Sequence, residues 1–217
     1  MKSPILILGA HSDDIEFGIG GCVNKLVQYG HNVICYIATT NTYLSLDGNT
    51  KREVGSIKET ESSMCVLGIN NLIMGSFTAQ KLLFNLDLIV EIERIIQEYG
   101  VETIILPWRG DHHQDHRALH NAGMAAGRRV KNIYGYCSNI VSVITSSPFK
   151  PTKFIELSKE NFNAKIKACM CYNSEWSRYN KDSEFPLEEI FKSRCIFYGQ
   201  SVSIGLAEAL EIYREVS

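Results

Sequence analysis

Two short stretches of this 217-residue chain concentrate side chains with strong chemistry. The first is His11-Ser12-Asp13-Asp14, with Glu16 close behind, and it follows directly on the apolar run Ile5-Leu6-Ile7-Leu8. The second is His112-His113-Gln114-Asp115-His116, soon after a second apolar stretch that ends at Pro107. A hydrolytic zinc site takes three protein ligands from His, Asp or Glu and keeps one position for water. His11 and Asp14 can supply two ligands from one turn, and His116 the third from the start of a later helix. Asp13 then stands beside the ion without binding it, where a carboxylate can act as general base toward water. His113, three residues before His116, can face the same side. If protonated, it can stabilise an oxyanion or give a proton to a leaving amine. Asp115 can hold that imidazole and raise its pKa.

Each cluster alone has a plainer reading. Ser and Asp are favoured N-caps, and acidic residues gather at helix N-termini. The pairing of the two, each directly behind a buried strand, points to a metal centre. His112 and His120 compete with His113 for the catalytic place, and His116 with His120 forms an i, i+4 pair that can itself chelate a metal. His31, after Gly30, is expected at the surface. Gly18, Gly20 and Gly21 invite a dinucleotide reading, but the fingerprint G-x-G-x-x-G would need glycine where Val23 stands. The second strand also ends Ala38-Thr39-Thr40, with no acidic residue for a ribose. Small residues that let a helix pack closely on a sheet explain these glycines more simply.

The elements that must position the clusters follow from periodicity. Buried strands are expected at Ile5–Leu8, Asn32–Ala38, Leu72–Met74 and Glu102–Pro107, with further strands at Ile133–Cys137, Ile140–Ile144 and Lys153–Leu157. Helices are expected over Glu16–Tyr29, Lys51–Leu67, Asp87–Tyr99, Asp115–Val130, Asn161–Tyr172, Leu187–Tyr198 and Ile204–Val216. Thr39–Asn49, Gly75–Lys81 and Asn173–Leu187 read as loops. Alternating strands and helices of this kind predict an α/β fold, a Rossmann-like, doubly wound and mostly parallel sheet with helices on both faces. Both polar clusters lie past strand ends, so they can meet on one rim. No repeat or linker interrupts residues 1–217, which read as a single domain.

Bulk properties exclude several classes. The net charge is −2 and 45% of residues are hydrophobic, so there is no basic surplus for nucleic acid. No apolar run approaches the roughly 18 residues of a membrane span. The short apolar patch near the N-terminus is expected to enter the fold rather than act as a leader. Seven cysteines, an odd number with no C-x-x-C pair, read as reduced core thiols of a cytoplasmic protein. The oligomeric state is not readable from the sequence.

The motifs resemble a known family. Ala10-His11-Ser12-Asp13-Asp14-Ile15-Glu16 with its Gly-rich continuation is similar to the A-H-P-D-D-E signature of the PIG-L/LmbE-like zinc-dependent de-N-acetylases, and HQDH at 113–116 resembles their H-P-D-H motif. KETESSMCVLG, KIKACMCYNSE and LAEAL resemble weaker patterns of the same family along most of the chain. Ser12 and Gln114 stand where the family commonly has Pro, a residue that fixes φ. The resemblance implies hydrolysis of an N-acetyl group from a GlcNAc-type amino-sugar conjugate or sugar nucleotide, releasing acetate. It implies one Zn2+ held by His11, Asp14 and His116, with Asp13 as base, His113 as oxyanion stabiliser or proton donor, and Asp115 tuning it. Iron(II) suits the same donors. In the family an Arg before the second helix often reaches the sugar, and Arg52 is the candidate here. Arg109 and Trp108 can line the pocket or serve structure. The rival reading is a non-catalytic, metal-containing sugar or nucleotide-sugar binding module. The loops Thr39–Asn49 and Asn173–Leu187 are expected to choose the substrate, a small molecule in either reading.

Overall fold

The computed structural model describes residues 3–40, 42–44, 51–53, 57–138 and 148–216. Strand β1 (Ile5–Gly9) is buried along its whole length, as a strand covered on both faces must be. Helix α1 (Asp14–Gln28) leads to β2 (Val33–Thr40), α2 (Ile57–Leu67) and β5 (Asn71–Thr78). Between β2 and α2 lie two three-residue strands, β3 (Thr42–Leu44) and β4 (Lys51–Glu53), paired antiparallel. Helix α3 (Leu86–Tyr99), β6 (Thr103–Pro107), α4 (Gln114–Ala126) and β7 (Asn132–Tyr136) follow. The chain ends with β8 (Lys153–Leu157), α5 (Lys159–Met170), α6 (Asn173–Asp182), α7 (Leu187–Gln200) and β9 (Leu206–Arg214).

Seven strands form one sheet in the order β5-β2-β1-β6-β7-β9-β8. The first five run parallel, and β9 lies antiparallel between β7 and β8. The chain steps outward from β1 to β2 and β5, then returns to β6 on the other side of β1. That reversal puts the ends of β1 and β6 side by side, with Ile7 opposite Ile105. A crevice beyond such a switch point is where doubly wound folds place ligands. Alternate residues of the central strands feed two cores. Leu6, Leu8, Ile34, Ile104 and Leu106 meet α3 and α4, while Ile5, Ile7, Cys35 and Ile37 meet α1 and α2. Burial also pushes the core thiols up, Cys195 to about 11, as inert hydrophobe-like cysteines require.

Several elements differ from the sequence expectations. Lys51–Glu53 is strand rather than the first turn of the following helix, because it pairs with Thr42–Leu44. Asn173–Asp182 is a helix rather than a loop, with Trp176 and Tyr179 packing toward Phe17 and Phe191. Leu206–Arg214 is a strand, although its Leu, Ala and Glu residues favour helix. Two flanking strands supply its ladder and bury Ala207, Ala209 and Leu210, which outweighs local preference. The third parallel strand runs to Thr78 and absorbs the start of the expected 75–81 loop. The expected strand Ile140–Ile144 and most of the 39–49 loop lie outside the described residues.

Helix α3 offers a direct test of this packing. Ile92 is fully buried, whereas Val90 on the outer face is half exposed. Ile92→Ala is expected to lower unfolding stability by roughly 2–5 kcal/mol. Val90→Ala should stay within about 0.5 kcal/mol of the parent in urea denaturation.

Candidate metal centre

The two polar clusters meet. The turn after β1 carries His11 to Asp13, and the start of α4 carries His113 to His116. His11 Nδ1 and His116 Nε2, 105 residues apart in the chain, lie 3.2 Å from each other. Asp14 Oδ1 lies 3.0 Å from His116 Nε2, and Asp14 Oδ2 lies 3.5 Å from His11 Nδ1. Three ligands placed tetrahedrally at about 2.1 Å from an ion are themselves about 3.4 Å apart. The side chains of His11, Asp14 and His116 are all buried.

The partners of the outer nitrogens set how the inner ones are presented. His11 Nε2 is 3.0 Å from Asp115 Oδ2, and His116 Nδ1 is 2.8 Å from Asp111 Oδ2. A carboxylate behind each imidazole takes its N–H. The inner nitrogens then both carry lone pairs, and with the Asp14 oxygen they crowd one small volume that only positive charge can fill. The titration tendencies agree. Burial pulls the His11 and His116 pKa values down, but the Asp14 charge and the carboxylate hydrogen bonds outweigh it, raising them to about 9 and about 10. Burial likewise opposes ionisation of Asp14, yet the two imidazoles hold its carboxyl well below the usual range. A divalent cation serves the same need as the protons it would displace. His113 joins His11 and His116 in a second grouping that can hold a metal ion, with ligand atoms within 4.8 Å of one another. The groupings with Asp14 and with His113 share His11 and His116.

Asp13 occupies the N-cap position of α1 and makes no capping bond with its side chain. The plain reading of this Asp as a cap therefore fails, and its carboxylate is left beside the cluster. Burial, and next the Asp14 charge, raise its pKa to about 6. His113 packs edge-on against His11 and stacks on His116, with centroids 4.6 and 4.9 Å away. Its Nδ1 accepts the Asp115 N–H at 3.2 Å, so Nε2 carries the proton of the neutral ring. Burial and the neighbouring imidazoles push its pKa down to about 4, while the Asp115 charge raises it, as expected. The expected hold of Asp115 on His113 runs through the Asp115 backbone N–H rather than its carboxylate. Asp115 turns to His11 and accepts the Gln80 N–H at 2.6 Å and the Leu82 N–H at 3.2 Å.

Other expected residues stand apart. His112 is exposed, and His120 bonds the Pro107 carbonyl at 2.8 Å and packs against Tyr213; among the described residues neither joins the His11, His113 and His116 grouping. Arg109 pairs with Glu211 at 3.6 Å, with its side chain largely in solvent. Arg52 lies on β4, and its side chain is outside the described residues. Trp108 is fully buried. Sequence reasoning missed Asp111, whose signal was a carboxylate five residues before His116. It also missed Tyr172, which donates to the Ser12 carbonyl and sits 2.7 Å from buried Glu16.

Comparison with known proteins fits this geometry. The chain is 30% identical over 179 residues to the uncharacterized deacetylase YaiS of Escherichia coli (strain K12), covering 80% of this chain and 92% of that protein. It is 22% identical over 223 residues to the diacetylchitobiose deacetylase of Thermococcus kodakarensis, covering 95% and 81%. Its fold also matches GalB, the 4-carboxy-2-hydroxymuconate hydratase of Pseudomonas putida KT2440, with a TM-score of 0.77 at 14% identity over 100% and 98% of the two chains. The architecture alone therefore does not choose the reaction. Residues 6–127 match the family described as PIG-L, GlcNAc-PI de-N-acetylase, and the chain belongs to that family.

Proposed function

We propose that this protein is a metal-dependent hydrolase that removes the acetyl group from an N-acetylated amino sugar, releasing acetate and a free amine. The observation that carries the reading is the convergence of His11 Nδ1, His116 Nε2 and the Asp14 carboxylate within 3.0–3.5 Å, beside an Asp13 that caps nothing. Family membership and a deacetylase relative along most of the chain support the same class.

In this reading His11, Asp14 and His116 hold one divalent ion, zinc by preference, with iron(II) suited to the same donors. When bound, the ion supplies a Lewis acid for the acetamide carbonyl and for water. Asp13 takes a proton from the water that attacks the acetyl carbon. His113, neutral and protonated at Nε2, donates a hydrogen bond to the oxygen that gains negative charge, and Asp13 passes the proton it took to the leaving nitrogen. Asp115 and Asp111 fix the two ligand imidazoles from behind. The substrate is a GlcNAc-type conjugate or sugar nucleotide, and Arg52 and Arg109 are candidate contacts to it. Among the described residues no helix is long and apolar enough to cross a membrane. A cytoplasmic small-molecule reaction accords with the reduced-thiol reading of the cysteines.

Acetate release should be measured on N,N'-diacetylchitobiose, a nucleotide-linked GlcNAc and an inositol-linked GlcNAc, alongside metal analysis of the purified protein. EDTA is expected to abolish release, and Zn2+ to restore it. Binding of these sugars without acetate release would replace the hydrolase with the binding-module reading.

Asp13→Asn should keep the metal while kcat falls by roughly 10²–10⁴-fold, the usual worth of a general base. Near-parental turnover with a full metal complement would remove Asp13 from that role. Asp111→Asn should lower metal affinity by roughly 10–100-fold through His116, read by competition with a chromogenic chelator.

A further inference from the structure

Helix α1 is not continuous. Ile19 leaves helical geometry, with φ −142° and ψ 26°, and divides the helix into a first turn and a longer body. The first turn begins at Asp14 and is preceded by Asp13, so its direction aims both carboxylates. In an unbroken helix the Gly21 and Cys22 N–H groups would donate to the Phe17 and Gly18 carbonyls. Here Glu208, from β9, accepts from Cys22 N at 2.6 Å and Gly21 N at 3.4 Å. Lys165, from α5, donates to the Phe17 carbonyl at 3.0 Å and the Gly18 carbonyl at 3.4 Å. The ammonium also bonds the Glu208 carboxylate, so its three donors have three acceptors. A buried ion pair thus stands at two consecutive rungs of one helix, with its cation on both acceptors and its anion on both donors. Both side chains are buried, Lys165 completely.

The glycines make room for it. A Cβ at Gly20 would lie 3.2 Å from Lys165 Cγ, and one at Gly21 would lie 2.6 Å from Leu157 Cδ1 and 3.3 Å from Glu208 Oε2. Arg194 reinforces the bend by donating to the Phe17 carbonyl from α7. Sharp helix kinks need such a cause, a side chain inserted into the i→i−4 ladder being one.

We propose that Lys165 and Glu208 are positioning residues that hold the bend in α1 and so place Asp13 and Asp14 at the metal centre. This rests on the metal-centre reading above. The pair touches neither substrate nor ion and acts only through the shape of the first turn. Replacing a buried ion pair by apolar residues of similar volume commonly leaves a protein folded, whereas removing one partner strands a charge. The Lys165→Met/Glu208→Leu double variant should therefore fold, with Gly21 N and Cys22 N returned to the Phe17 and Gly18 carbonyls. Glu208→Asp keeps the charge but is one methylene too short to reach both amides.

Each variant should be examined by its solved structure and by Co2+ affinity and visible absorption. The expected result is a straightened or redirected first turn, a changed Co2+ spectrum and affinity lower by roughly 10–100-fold, the range found for outer partners of metal ligands. A folded variant with the parental bend, spectrum and affinity overturns the proposal. If the double variant does not fold, Glu208→Asp decides on the same two readouts. If the parent protein itself takes up no Co2+, the metal reading fails. The bend in the variant structures then still confirms or refutes the role of the pair.

Discussion

Two buried imidazole nitrogens lie 3.2 Å apart, and the two oxygens of one buried carboxylate reach them, one each, at 3.0 and 3.5 Å. Three lone-pair donors cannot rest at that spacing without positive charge among them. Much of the surrounding architecture follows from that demand. The carboxylates of Asp111 and Asp115 fix which ring nitrogen looks inward, and the fold must keep two separate turns in contact against this local repulsion. It does so with adjacent parallel strands, since β1 and β6 are hydrogen-bonded neighbours whose ends deliver the two turns together.

The same constraint redistributes the roles of the polar residues. The Asp115 carboxylate goes to His11 and to the Gln80 and Leu82 N–H groups, and it meets His113 only through its backbone N–H. Burial, and next the neighbouring imidazoles, favour the neutral form of His113. A ring whose Nδ1 already accepts a backbone N–H has one defined donor, at Nε2, and needs no further group to set its tautomer.

The meeting of His11, Asp14 and His116 is legible in the sequence because its signal is local. His11 and Asp14 sit within one turn, His116 sits at a helix start, and both follow apolar runs that can only be buried strands. The outer shell was less legible because it depends on tertiary placement. Asp111 gained meaning only once the start of α4 placed it against His116 Nδ1. The strand β9 was obscured by a composition that favours helix, and its identity is set by β7 and β8 on either side. The helix α6 was obscured in the opposite sense. Its residues are mostly polar, and the apolar side of its inner face is carried by Trp176 and Tyr179, packed toward Phe17 beside buried Glu175. Arg109 shows the limit of proximity in sequence, for it stands close to the second cluster yet pairs with Glu211.

Rigidity of the two turns has a source that residue type alone does not reveal. Proline would fix φ at positions 12 and 114, but this chain has Ser12 and Gln114 there. The first turn is instead held through its backbone, with the Ser12 carbonyl accepting from Tyr172 and the Ala10 and His11 N–H groups donating to Asp14 Oδ2 at 3.0 and 2.8 Å. The second is tied to the β5–α3 loop, where Gln114 Nε2 donates to the Gln80 carbonyl at 2.5 Å. Gln80 itself has φ +65°, an unusual conformation for a residue with a Cβ. That conformation turns its N–H onto Asp115 at 2.6 Å, and so onto the partner of His11. Strain of this kind persists only where surrounding bonds over-determine it. Here those bonds connect a surface loop, through one carboxylate, to His11.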